Sequence, residues 1–150
     1  MDGGDVLFTG KEFFVGLSKR TNQESLAVLQ ASFPSYPVHG IDVLDATLHL
    51  KSMMSMAGND IIALGKSKSA EQAGKQLLSK ATHQYEVLKV SGDPAANCLW
   101  INGHLIHRSS KEYPDIARDY ESLKCPKLEL SNSQLTKADG CLTCCSLLIG

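Results

Sequence analysis

Near the end of the chain, the stretch Asp139-Gly140-Cys141-Leu142-Thr143-Cys144-Cys145-Ser146-Leu147-Leu148-Ile149 sets two thiols side by side. A strand points successive side chains to opposite faces. At most one of the pair then lines a given cleft as a candidate nucleophile, while its neighbour packs the other way. Asp139-Gly140 reads as a tight turn, which puts the start of that strand at a rim where substrates arrive. The plainer alternative is that both are small buried hydrophobes, the usual fate of free cysteine.

A cysteine nucleophile needs a histidine as acid and base, and a carboxylate to orient it. His49, in Leu48-His49-Leu50-Lys51-Ser52, reads as a strand residue that turns away from its leucine neighbours and shares a face with Lys51; a hydrogen-bonded structural histidine is the alternative. His104 and His107 are three apart, the wrong parity for one strand face. Asp2-Gly3-Gly4-Asp5 supplies two carboxylates or a solvated turn. Arg20, just before a helix start, could clamp a carboxylate through its planar fork or sit on the surface. Cys141-x-x-Cys144-Cys145 also raises metal and redox readings. Zinc lacks the second half of a ligand set, and a redox pair normally sits at a helix N-terminus rather than along a strand.

These residues need elements to hold them. Val6 to Thr9 and Glu12 to Leu17 read as a hairpin turning at Gly10-Lys11. Thr21-Asn22-Gln23-Glu24 has the form of a capping box before a helix that Pro34 ends, and Val38 to Leu44 reads as a strand. The order recurs with strands at Leu48 to Met56 and Ile61 to Gly65, a helix from Ser69 to about Thr82, and a strand from Tyr85 to Val90. It returns as a hairpin Cys98 to Asn102 and Leu105 to Arg108, a helix Glu112 to Leu123 and a strand Lys127 to Leu130. A short helical segment, Ser133 to Ala138, leads into the cysteine strand. Three β-β-α-β units at a spacing of roughly 45 residues predict structural repeats in a row or ring.

Composition narrows the function classes. A chain of 150 residues with 43% hydrophobic and 21% charged content is ordinary for one globular domain, residues 1–150. The net charge of -1 offers no basic field for nucleic acid or an anionic membrane. No apolar run is long enough to span a bilayer, and the acidic start is unlike a signal peptide, so a cytoplasmic location is expected. Five cysteines without an export signal imply reduced thiols.

Asp2-Gly3-Gly4-Asp5-Val6-Leu7-Phe8-Thr9-Gly10, Phe13-Phe14-Val15-Gly16-Leu17-Ser18-Lys19-Arg20-Thr21-Asn22, Leu48-His49-Leu50-Lys51-Ser52, Ala96-Asn97-Cys98 and the stretch from Asp139 to Ser146 together resemble dimethylarginine dimethylaminohydrolases. The motifs span the chain and correspond to roughly the C-terminal half of that family. The resemblance implies an α/β fold, a partial α/β propeller (pentein) of about three β-β-α-β units plus a final strand. It also implies hydrolysis of dimethylarginine or monomethylarginine to citrulline and methylamines through a covalent cysteine intermediate, without a cofactor. By that resemblance Cys144 is the nucleophile, His49 the general acid and base, and Asp2 the acidic partner of the histidine. Arg20 holds the α-carboxylate of the substrate, and Ala138 stands where the family places an apolar substrate contact. Cys144 and His49 could hold an inhibitory zinc, two ligands being too few for a structural site. The alternative is a catalytically inactive family member that acts by protein contacts, with self-association through exposed propeller edges.

Overall fold

The structure, a computed structural model, describes residues 1–44 and 47–148. The first unit comprises β1 (Val6–Phe8), β2 (Phe13–Leu17), helix α1 (Glu24–Ser32) and β3 (Val38–Asp42). The second comprises β4 (Met54–Gly58), β5 (Ile61–Leu64), α2 (Lys68–Lys80) and β6 (Glu86–Lys89). After a short helix α3 (Asp93–Ala96), the third comprises β7 (Leu99–Ile101), β8 (His104–Arg108), α4 (Ile116–Asp119) and β9 (Lys127–Leu130). The last helix is α5 (Ser133–Thr136). In each unit the first two strands pair antiparallel and the third returns parallel to the second. Three separate three-stranded sheets of identical order result, as the repeat predicts.

Apolar side chains on both faces of the middle strands stack the units. Phe13 and Val15 turn to one face, with Leu29 of α1, whereas Phe14 turns to the other and joins Ile41 in a core with Ala70, Ala73 and Leu77 of α2. The sheet of the first unit is thereby covered by the helix of the second. Ala57 and Ala63 likewise share a core with Ile116 and Tyr120 around the third unit's helix. The outer face of the third sheet leaves Leu128 and Leu130 about half exposed, at 52% and 48%.

Several expected elements are shorter or different. Thr21 does not cap α1, because its hydroxyl donates to the buried Asp5 carboxylate; no side chain caps that helix, and Asn22 instead accepts from Ser25. Ser67 rather than Ser69 caps α2, its Oγ accepting from the Ala70 N–H at 3.1 Å. The helix expected from Glu112 to Leu123 is reduced to α4. Glu112 is drawn away by Arg108 at 3.0 Å and by the backbone N–H groups of Asn132 and Ser133, each at 2.8 Å. The expected final strand is absent from described residues 141–148, which form a turn; Ile149 lies outside the described residues. Among the described residues, no helix is long and apolar enough to cross a membrane.

Candidate active site

Two buried carboxylates organise the region between the first two units. Asp5 is fully buried at the end of a 3-10 turn, Gly3–Asp5, and receives the Ser18 hydroxyl at 2.7 Å and the Thr21 hydroxyl at 2.8 Å. Its other oxygen accepts the backbone N–H of Leu50 at 3.0 Å. That bond starts a second 3-10 turn, Leu50–Ser52, with His49 at its N-cap. His49 therefore is not a mid-strand residue, as its alternation with leucines had indicated; a local side-chain acceptor has replaced the ladder. Glu12, fully buried 7 residues further along the chain, does the equivalent work for the segment after α2.

The same network carries Asp2. Its backbone N–H donates to Thr21 Oγ1 at 3.0 Å, and Asp5 N–H donates to the Asp2 carbonyl at 3.0 Å. So held, Asp2 Oδ2 lies 3.0 Å from His49 Nε2, and Arg20 Nη1 approaches the same oxygen at 3.4 Å. The hydrogen bond to His49 holds the Asp2 carboxyl below its usual range, with Arg20 adding to the effect against a desolvation penalty. Close approach explains Gly4: a Cβ there would lie 2.6 Å from His49 Cγ, inside the imidazole's own volume.

On the opposite wall, Asn97 fixes the cysteine turn. This buried amide accepts the Thr143 N–H at 3.1 Å, donates to Thr143 Oγ1 at 2.8 Å and donates to the Lys51 carbonyl at 2.7 Å. Cys145 N–H bonds back to the Cys141 carbonyl at 3.0 Å, closing the turn. Asp139, not Gly140, takes the positive φ of 57° after α5, and Gly140 N–H returns to the Leu135 carbonyl at 2.9 Å. Cys144 is exposed and faces a cavity of about 390 Å³ whose other lining includes Asp2, Gly4, His49 and Lys51. A second cavity of about 360 Å³, sharing Lys51 and Thr143, continues along the inner strands β1, β4 and β7.

The structure thus brings Asp2, His49 and Cys144 to one cleft. Arg20 is joined to it only through Asp2, and Ala138 is exposed and is not among the residues lining it. Lys51 is half-buried there, its ammonium pKa lowered by burial against the opposing pull of Cys144 and Cys141. The sulfurs of Cys141 and Cys144 are 3.0 Å apart. Burial raises the Cys144 thiol and the adjacent Cys141 sulfur raises it further. Burial opposes ionisation of Cys141 too, but hydrogen bonds from Cys144 and Thr143 prevail and lower its pKa. Ionisation within the pair is accordingly easier at Cys141 than at Cys144. Among the described residues no cluster of three or more metal-ligating side chains forms.

In sequence and in fold the chain is similar to known proteins. At 32% identity over 157 residues, the chain is similar to the putative hydrolase DDAH2 of Bos taurus, over 99% of this chain and 55% of that protein. It is 28% identical over 152 residues to the N(G),N(G)-dimethylarginine dimethylaminohydrolase of Pseudomonas aeruginosa, over 98% of this chain and 55% of that one. The chain belongs to the dimethylarginine dimethylaminohydrolase family. The fold agrees: the solved structure of DDAH from Pseudomonas aeruginosa, a mutant complexed with citrulline, superposes with a TM-score of 0.66 at 24% identity, over 93% of this chain and 52% of that one. The three stacked units are thus those of the α/β propeller seen in dimethylarginine dimethylaminohydrolases. The chain spans about half the length of the curated relatives it matches. No protein-family model matches it.

Asn97, Lys51 and Cys141 act at or beside the cleft in ways that the sequence pattern did not indicate. Asn97 lies in Ala96-Asn97-Cys98, but only its position beside the turn 46 residues away shows it to be a clamp. Lys51 was legible as a neighbour of His49, though by strand parity rather than through the turn that sets both on the cleft. Cys141 has the Cys-x-x-Cys spacing of a redox pair, and what counted against that reading was the expected strand, where the structure has a turn.

Proposed function

We propose that the chain carries a thiol-dependent hydrolase site for methylated arginine, releasing citrulline and a methylamine. The observation that carries the proposal is the convergence of the Asp2–His49 pair and Cys144 on one cleft. The names of the relatives, and the citrulline bound to the Pseudomonas aeruginosa protein, point to the same substrate class.

In this reading a substrate guanidinium beside Cys144 favours its thiolate by opposite charge, countering the burial that raises the thiol's pKa. The thiolate attacks the guanidinium carbon, and the tetrahedral adduct collapses as His49 gives a proton to the departing dimethylamine. His49 then takes a proton from water, which adds to the thiouronium carbon. Citrulline leaves with its ureido oxygen from that water, and Cys144 is regenerated. Asp2, 3.0 Å from Nε2, orients the imidazole. Arg20, held to Asp2 by a long and exposed contact, is free in energetic terms to exchange that partner for a substrate carboxylate.

Citrulline release from asymmetric dimethylarginine by the purified chain, beside Cys144→Ser, tests the proposal. Turnover lost in the variant is expected. A folded chain without turnover would refute activity of this chain by itself and favour the inactive reading, in which the exposed Leu128 and Leu130 would serve protein contacts.

A further inference from the structure

We propose that Cys141 and Cys144 form a reversible dithiol–disulfide pair, a modification site at the mouth of the cleft oxidised by hydroperoxides. The bond between Cys145 N–H and the Cys141 carbonyl makes a single turn in which these two residues lie on the same side. Their sulfurs, both unbonded, are 3.0 Å apart, about 1 Å beyond a disulfide bond of roughly 2.05 Å. Little chain movement is needed, because Thr143 between them is held at both its N–H and its hydroxyl by buried Asn97. Two of the other thiols are poorly placed to compete. Cys98 is buried, with its pKa raised by desolvation, and Cys145 sits on the Gly140 side, its sulfur 3.3 Å from where a Cβ on that glycine would be.

The chemistry balances with a hydroperoxide as oxidant. Cys141, the more readily ionised sulfur, attacks a peroxide oxygen. An S–O bond forms, the O–O bond breaks, and the second oxygen leaves as hydroxide or alkoxide and takes up a proton. Cys144 then attacks the sulfur of the sulfenic acid: the S–S bond forms, the S–O bond breaks, and water departs with the proton from Cys144. Two thiols are oxidised and one peroxide is reduced. A dithiol reductant reverses the step by thiol–disulfide exchange. Disulfide formation stands on the sulfur geometry alone; its effect on turnover rests on the function proposed above, since it would occupy the attacking sulfur. Reversible capture also spares Cys144 from irreversible oxidation to sulfinic acid.

The test is to reduce the purified chain, expose it to hydrogen peroxide, alkylate it under denaturing conditions and sequence its C-terminal tryptic peptide by mass spectrometry. Two of the five thiols are expected to escape alkylation, joined as Cys141–Cys144 and recovered with dithiothreitol. Cys145→Ser should leave that link intact. Cys141→Ser should abolish it and let Cys144 proceed to the sulfinic acid. A link lost in Cys145→Ser, or a wild-type Cys144 that reaches sulfinic acid as fast as in Cys141→Ser, overturns the proposal. The readout is mass, so a chain without hydrolase activity still decides the question. Where turnover is present, peroxide should abolish it and dithiothreitol restore it in the wild type.

Discussion

Replacing Glu12 by glutamine should destabilise the chain by about 3 kcal/mol at neutral pH, the low end of what breaking a buried ionic cluster costs. Glu12 is fully buried at the end of the first hairpin, yet its carboxylate receives five hydrogen bonds. The Thr82 N–H at 3.0 Å, the Thr82 hydroxyl at 2.8 Å and His39 Nε2 at 2.6 Å reach one oxygen. The His83 N–H at 3.1 Å and the Tyr85 hydroxyl at 2.9 Å reach the other. All but His39 come from the segment after α2, so the cluster ties the first unit to the second. An amide offers one acceptor oxygen. Whichever way it is turned, its NH₂ faces a backbone N–H that cannot rotate away, at a cost of about 1–3 kcal/mol. The bonds that survive lose their charge assistance, which contributes roughly another 1 kcal/mol. In thermal melts the total corresponds to a decrease of roughly 6–12 °C.

The pH dependence supplies a second check. Burial would raise the carboxyl pKa, but the bonds from Thr82, Tyr85 and His39 overcome it and hold it at about 2, against an ordinary 4.5. The folded chain therefore binds a proton at Glu12 less readily than the unfolded chain. The contribution is complete above pH 4.5 and diminishes as pH falls through about 2. Urea titrations of wild type and Glu12→Gln should differ fully at pH 7, with the difference narrowing below pH 4.5. A difference under about 0.5 kcal/mol at pH 7, the size of an ordinary surface substitution, would refute the view that this cluster joins the units.

Other perturbations address the cleft. Gly4→Ala puts a methyl group 2.6 Å from the His49 ring, and should reduce citrulline formation about a hundredfold through displacement of the imidazole; circular dichroism should show the fold retained. Asn97→Ala removes three hydrogen bonds that hold the cysteine turn to Lys51. Faster amide hydrogen exchange at Thr143 is expected, and unchanged exchange there would show that the turn holds itself.

The β-β-α-β repeat was legible because it depends on local pattern. The continuous apolar run Phe13-Phe14-Val15 fits a strand covered on both faces, and the third unit's hairpin is present with its turn at Asn102-Gly103, both at positive φ, one residue earlier than the strand ends expected at Asn102 and Leu105. The misread elements were those where a distant side chain took over a backbone group. Leu50 gives its N–H to Asp5, Asn132 and Ser133 give theirs to Glu112, and Thr143 gives its to Asn97. A periodicity argument has no access to an acceptor 20 to 46 residues away.

The sequence by itself determined the kinds of chemistry present: two thiols and a third at Cys-x-x-Cys spacing, a histidine, and an acidic turn at the other end of the chain. It also determined the three repeats, since each unit's hydrophobic pattern suffices to form its hairpin and crossover. Only the tertiary structure decided that Asp2 and His49 are partners across 47 residues, and that Cys141 rather than Cys145 is the neighbour of Cys144. The physical reason is the same in both cases. Residue types are carried by the chain, whereas distances of 3.0 Å between them arise from buried polar groups, Asp5 and Asn97, which must find hydrogen-bond partners wherever the stacked units place them.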